Sequence, residues 1–291
     1  MRSQLIRSAV ALAGLLATVT GTAAAAVPAL PPGGRTVTHG PISITVPAVP
    51  SFQHGTITTM LDFCGSGQPF VYTGANVAFT WSAKSTAGPV VRYDIYDETF
   101  SGTFYDRSVT VPGISAWVDN YIDDCGGGSG KQYGWLIVAR DRAGHSVQAS
   151  VEAYLYVTRF DNTGAEGAQG TWTYTGRWGV STCLCADGYR QTYTTAAGAS
   201  ATFAVTAKAG ERLALMMAEG PGRGSARILL DGRITATINT YASTNSNRVI
   251  TWSTGALKAG PHLVTIVNLA TPGHPRVDVN AALTERPLTF G

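Results

Sequence analysis

The sequence predicts an all-β protein made of two consecutive β-sandwiches. Three observations carry this prediction. Apolar residues recur at period two in run after run, as in Val91-Arg92-Tyr93-Asp94-Ile95, where Val91, Tyr93 and Ile95 share one face. Beyond residue 27 no window keeps a 3.6-residue period over the length of a helix. The 34 glycines and 14 prolines fall at short intervals, which is how turns punctuate short strands.

The 291 residues suit about two domains of roughly 100–200 residues each. An apolar share of 44% is enough to build a core and excludes a disordered chain. Charged residues make up 13%, about half the usual share of roughly 25%. The net charge is only +3, so the chain lacks the basic excess expected of a nucleic-acid binder.

Residues 1–26 read as a secretory signal peptide. Arg2 and Arg7 form its charged start, Ala9 to Val19 its apolar stretch, and Thr22 to Ala26 a small-residue cleavage site. The apolar stretch is shorter than the roughly 20 residues a membrane helix needs, and no second run of that length follows. The chain is therefore expected outside the cell, without a membrane span after cleavage. Residues 27–54 read as a semi-rigid spacer, because Pro28, Pro31, Pro32, Pro41, Pro47 and Pro50 interrupt regular ladders. Within it, Ile42-Ser43-Ile44-Thr45-Val46 alternates like a short edge strand. In an exported chain the four cysteines read as disulfides. Proximity favours Cys64–Cys125 and Cys183–Cys185 among the three pairings; cysteines two apart need a bent loop to bond, and a redox or metal pair is the other reading.

Residues 55–160 form the first strand-rich block. Val77 to Trp81 and Val91 to Asp97 alternate, Tyr133 to Ala139 is apolar on both faces, and Val147 to Val157 carries an apolar residue at every second position. A polar, glycine-rich run from Asp161 to Gly170 marks the boundary to a second block, residues 161–291. Nine short strands are predicted there: Thr171–Thr175, Arg190–Thr194, Ser200–Ala207, Arg212–Ala218, Ser225–Leu230, Ile234–Tyr241, Arg248–Ser253, His262–Leu269 and Val277–Leu283. That number in about 130 residues suits a jelly roll. Asp231-Gly232 predicts a two-residue hairpin turn, since both positions need positive φ.

The run Tyr133-Gly134-Trp135-Leu136-Ile137-Val138-Ala139-Arg140-Asp141-Arg142-Ala143-Gly144-His145-Ser146 resembles the sixth strand, and the turn after it, of bacterial fibronectin type III domains, with His145 where asparagine is usual. Phe79-Thr80-Trp81 and Val91 to Tyr96 fit earlier strands of that immunoglobulin-like sandwich. The resemblance implies that Tyr133 lies near a tyrosine corner, its hydroxyl bonded to backbone. It also implies that Cys64 and Cys125 lie at one pole, where they can pair.

The second block resembles the galactose-binding-like jelly rolls at the C-termini of actinobacterial exported proteins, many of them carbohydrate-binding modules. The residues that carry this are Tyr174-Thr175-Gly176-Arg177-Trp178, Gly198 to Phe203, Gly220 to Ala226, Leu230-Asp231-Gly232 and Leu257 to His262. It implies binding of a glycan or cell-surface polymer, with aromatic rings packing on sugar C–H faces and amides or arginines bonding hydroxyls. The candidates are Arg177, Tyr189 and Tyr241, with Asn239, Asn245 and Asn247 beside Tyr241. Trp178, Tyr193 and Trp252 are also aromatic or nearby, but Trp178 and Trp252 sit in strand patterns that favour a place in the core.

No catalytic residue is assigned. No H-E-x-x-H, G-x-S-x-G or phosphate-loop motif occurs. Asp119, Asp123 and Asp124 offer the hard oxygens that Ca²⁺ takes, but their spacing departs from the EF-hand loop and a solvated acidic loop is the plainer reading. No other cofactor is implied. The expectation is a secreted, non-catalytic glycan-binding protein. The alternatives are an extracellular structural or adhesion module with a protein partner, and a hydrolase whose constellation is dispersed along the chain.

Overall fold

Alternating strands bury their apolar faces only by stacking sheets, and this chain stacks three layers. The computed structural model describes residues 34–56, 61–63, 69–99, 102–121, 131–162, 169–182 and 190–288. The first strands are β1 (Arg35–His39), β2 (Ile42–Val46), β3 (Ser51–Phe52), β4 (Gly55–Thr56), β5 (Leu61–Phe63), β6 (Pro69–Phe79), β7 (Ser82–Ser85), β8 (Val90–Thr99), β9 (Gly102–Val109), β10 (Ile114–Tyr121), β11 (Lys131–Asp141) and β12 (Ser146–Arg159). They are followed by β13 (Thr171–Thr175), β14 (Gly179–Thr182), β15 (Arg190–Thr194), β16 (Ser200–Ala207), β17 (Arg212–Glu219), β18 (Ser225–Leu230), β19 (Arg233–Asn239), β20 (Ser246–Ser253), β21 (Gly260–Asn268) and β22 (Val277–Pro287). The fold is all-β, and the described residues contain no helix, hence none long and apolar enough to cross a membrane.

The first layer is a kinked ribbon. β2 pairs β7 and β3 pairs β6, so two broken strands run side by side, with β1 outside β2 and β10 outside β6. Against it lies the strand order β9-β8-β11-β12. The core between them holds Ile42, Ile44, Phe79 and Trp81 from one layer and Tyr93, Ile95, Trp135 and Ile137 from the other. The expectation of a spacer over residues 27–54 is corrected here for 35–52. Ile42 and Ile44 are fully buried, because Pro41, Pro47 and Pro50 bracket β2 and β3 instead of interrupting them. Residues 1–33, which include the expected signal peptide, lie outside the described residues.

Two blocks separate in sequence share one sheet. β12 pairs antiparallel with β22, from Ala153 opposite Pro287 to Arg159 opposite Ala281. The sheet then continues through β17 and β20, giving the order β4-β20-β17-β22-β12-β11-β8-β9, with the β14–β15 hairpin joined to the start of β22. A five-stranded sheet, β13-β16-β21-β18-β19, closes the second sandwich. Leu213, Leu215 and Met217 of β17 pack with its Phe203, Ile228 and Ile266. Ala214 and Met216 point the other way, into the core that holds Phe52 and Val77. Burial on both faces is why Leu213 to Ala218 is apolar at every position.

All nine strands predicted for the second block are present, and Asp231 and Gly232 make the predicted turn with φ of 53° and 76°. Tyr133 differs from its expected role. Its hydroxyl donates to the Glu285 carboxyl of β22, where the tyrosine corner bonds backbone. Burial pushes the Glu285 carboxyl well above its ordinary value, which favours its neutral form in the core.

Candidate functional site

One end of the second sandwich collects polar and aromatic side chains around a buried carboxylate. Asp278 lies on β22 directly opposite Tyr193 of β15, and is fully buried. Arg276, two residues earlier on the same strand face, donates its Nε to Asp278 at 2.9 Å. Arg223, from the loop after β17, donates its Nε at 3.0 Å. Both guanidiniums have further partners. Arg223 Nη1 reaches Asn245 Oδ1 at 2.6 Å, and Arg276 lies 4.1 Å over the Tyr193 ring with Nη2 3.4 Å from Ser181 Oγ. Two arginines on one carboxylate leave a local charge of +1, and their side chains keep only 12% and 31% of their surface exposed.

Tyr241 stands beside this cluster, 47% exposed, with its ring 4.6 Å from that of His274. His274 Nδ1 donates to the Pro221 carbonyl at 2.6 Å, which fixes the tautomer and leaves Nε2 as the other polar atom of the ring. The loops are held together by bridges between Gly220 and Tyr241 and between Arg223 and Arg276. Glycine permits a close approach at two points. A Cβ on Gly220 would strike Asn245 Oδ1 and Arg223 Nη1, and one on Gly224 would strike the His274 carbonyl. Exposed Tyr241 thus presents a ring packed on His274, on backbone bridged to Gly220, which itself adjoins the Asn245–Arg223 pair. A sugar's apolar face and hydroxyl rim call for an exposed ring with polar groups near it.

The predicted residues divide around this end. Tyr241 and Asn245 come together there. Asn239 ends β19 and is exposed, its Oδ1 accepting from the Tyr241 backbone N–H at 3.0 Å. Asn247 is the second residue of β20, half-buried where the register to β17 shifts. Arg177 is exposed, and its carbonyl accepts from Thr194 Oγ1 at 2.7 Å. Trp178 and Trp252 pack against the core, as their strand patterns implied. Tyr189, Asp123, Asp124 and all four cysteines, with both expected disulfides, lie outside the described residues. Asp119 is on β10.

Sequence reasoning missed Arg223, Arg276, Asp278 and His274. A signal existed for one pair: Arg276-x-Asp278 has the period that places both side chains on one face of a strand. Among the described residues no group of three His, Cys, Asp or Glu side chains could hold a metal. A serine, an aspartate and a histidine meet at Ser85, Asp141 and His145, but the carboxylate sits between the other two. Ser85 Oγ donates to Asp141 at 2.7 Å and His145 Nδ1 lies 3.0 Å from the same oxygen. In a nucleophilic triad the histidine takes that middle place.

No family model matches the chain, and no curated protein does. Among solved structures, it is similar to the CBM36-1 domain of a multidomain xylanase from the hindgut metagenome of Trinervitermes trinervoides, with 9% identity, a TM-score of 0.33, and coverage of 47% of this chain and 99% of that one. It is also similar to a Podospora anserina GH26-CBM35 β-(1,4)-mannanase (15% identity, TM-score 0.31, 42% of this chain and 28% of that one). A third is the catalytic domain of a GH87 α-1,3-glucanase in complex with nigerose (12% identity, TM-score 0.31, 47% and 28%). The chain thus spans about a quarter of the length of the last two. Likeness at this level assigns no activity.

Proposed function

We propose that the chain is a secreted, non-catalytic protein that binds a glycan at the end of its second sandwich, with Tyr241 as the stacking ring. The observation that carries this reading is the exposed Tyr241 ring braced on His274 beside Asn245 and the buried Asp278 pair. Bracing matters because a ring held in place by the protein loses little freedom when a sugar lies on it. The first sandwich serves as the rigid mount. Its layer order, β3-β6-β10 against β9-β8-β11-β12, supports the fibronectin-like reading.

Native gels containing soluble xylan, mannan or glucans test the reading. The full chain should be retarded by at least one of these neutral polymers, and Tyr241→Ala should abolish the retardation. Absence of retardation by any of them, or retardation that survives Tyr241→Ala, would overturn it.

A further inference from the structure

The outer face of the first sandwich carries a second buried carboxylate with two arginines, built differently from the first. Asp94 on β8 is buried and accepts from Arg92 Nε at 2.6 Å, Arg140 Nε at 2.9 Å and the hydroxyl of Ser108 across the β8–β9 ladder. Burial pushes the Asp94 carboxyl up, but the bonds from Ser108, Arg140 and Arg92 outweigh it and hold the group below its ordinary value. Its charge is therefore present and fixed, and the two guanidiniums exceed it by one.

What distinguishes this cluster is which nitrogens are engaged. At Asp278 the terminal nitrogens of both arginines are drawn into contacts with Asn245, Ser181 and the carboxylate itself. At Asp94 both arginines use Nε alone, and among the described residues their Nη groups have no partner. Arg92 and Arg140 keep 55% and 45% of their side-chain surface in solvent. Each thus turns its terminal fork outward, which is the part that grips a planar oxyanion. The neighbouring charges Asp106 and Arg107 pair with each other at 3.1 Å and cancel.

An aromatic step adjoins the forks. Tyr105 is 57% exposed, packs edge-on against Tyr96 at 5.5 Å, and shares its hydroxyl with Ser108 Oγ at 3.0 Å. Arg92, Asp94, Ser108 and Tyr105 thus form one bonded row along the β8–β9 edge of the sheet. We infer that this face is a second binding surface, for an acidic polysaccharide, with the Arg92 and Arg140 forks on its carboxylate or sulfate groups and the Tyr105 ring under a sugar. A polymer fits better than a small anion, because the face is open and single contacts on it are weak, whereas repeated charges rebind.

The test runs native gels with polygalacturonate, dextran sulfate and uncharged dextran on the full chain. Stronger retardation by the acidic polymers than by dextran, itself a neutral glucan open to the Tyr241 site, is expected, and only the excess should weaken with added salt. Retardation by polygalacturonate alone identifies carboxylate groups, by dextran sulfate alone sulfate groups, and by both a general polyanion; each supports the inference. The double variant Arg92→Gln/Arg140→Gln should weaken binding by about tenfold or more, the value of one charged hydrogen bond. Tyr105→Ala, which removes an exposed ring and leaves Asp94 its arginines, should weaken it without shifting the melting midpoint, and it decides the matter should the double variant fail to fold. Tyr241→Ala should leave it unchanged, so this surface and the proposed neutral-glycan site fail or stand separately. Equal retardation by dextran, none by either acidic polymer, or full retardation of the Tyr105 variant would overturn the inference.

Discussion

Tyr133 on β11 donates its hydroxyl to the carboxyl of Glu285 on β22, across 152 positions of sequence. The bond joins the first sandwich to the last strand of the second inside a shared core. Glu285 is fully buried there, with burial alone raising its carboxyl. A carboxyl that is neutral when folded and ionised when unfolded takes up a proton on folding. Stability is then greatest below the ordinary value of 4.5 and declines as pH rises from there through the raised folded value. Glu285→Gln keeps an oxygen to accept from Tyr133 and removes the titration. Its melting midpoint should gain on the parent at about pH 8 relative to about pH 5 in scanning calorimetry. An equal difference at both would contradict the placement.

His262 bends the pH profile the same way at higher pH. Burial alone would lower it, but Asp231 Oδ2 at 2.8 Å and the Lys258 carbonyl at 3.0 Å face its two nitrogens and raise it above 6.5. That contribution is whole below 6.5 and is lost as pH rises through the folded value. His262→Gln should flatten the decline in melting midpoint on the alkaline side of neutrality and, because His262 also helps hold the Asp231 carboxyl down, soften the decline at acid pH.

The shared sheet predicts that both sandwiches melt together. Seven residue pairs join β12 to β22, and Met216 and Leu283 of the second block belong to the core of the first. Calorimetry should show one transition, with the calorimetric enthalpy equal to the van't Hoff value. Two resolved transitions would mean that the junction is not cooperative.

The two glycines of the binding end separate stability from recognition. Gly224→Ala presses on the backbone carbonyl of His274 and should cost about 1–3 kcal/mol by denaturant unfolding. Gly220→Ala meets side-chain ends of Asn245 and Arg223, which can swing away. It should cost less stability and more glycan retention.

Asp278→Asn leaves Arg223 and Arg276 without their shared anion. The loss should be about 3 kcal/mol, as for other broken buried pairs, and should carry glycan retention with it. A variant of parental stability would show that the pair is not buried in solution.

Local pattern made most of the strands legible. Ser200–Ala207 and Arg190–Thr194 match the structure to the residue, because alternation, turn residues and burial agree there. The partnership of β12 with β22 was not legible. The doubly apolar run Leu213 to Ala218 says that both faces are covered, but a single strand cannot name what covers it. The same limit hid the site. Tyr241 and Asn245 are close in sequence and were found, whereas Arg223 and Asp278 are 55 positions apart and meet only through the sheet. In residues 27–54 the prolines outweighed the alternation of Ile42, Ile44 and Val46, although proline at strand ends is compatible with a buried strand.

Titration calorimetry of the full chain with whichever neutral polysaccharide retards it in gels tests the central claim most directly. Wild-type protein should bind saturably, and Tyr241→Ala should bind about tenfold or more weakly at an unchanged melting midpoint. Equal affinity of the two proteins would contradict a glycan seated on the Tyr241 ring.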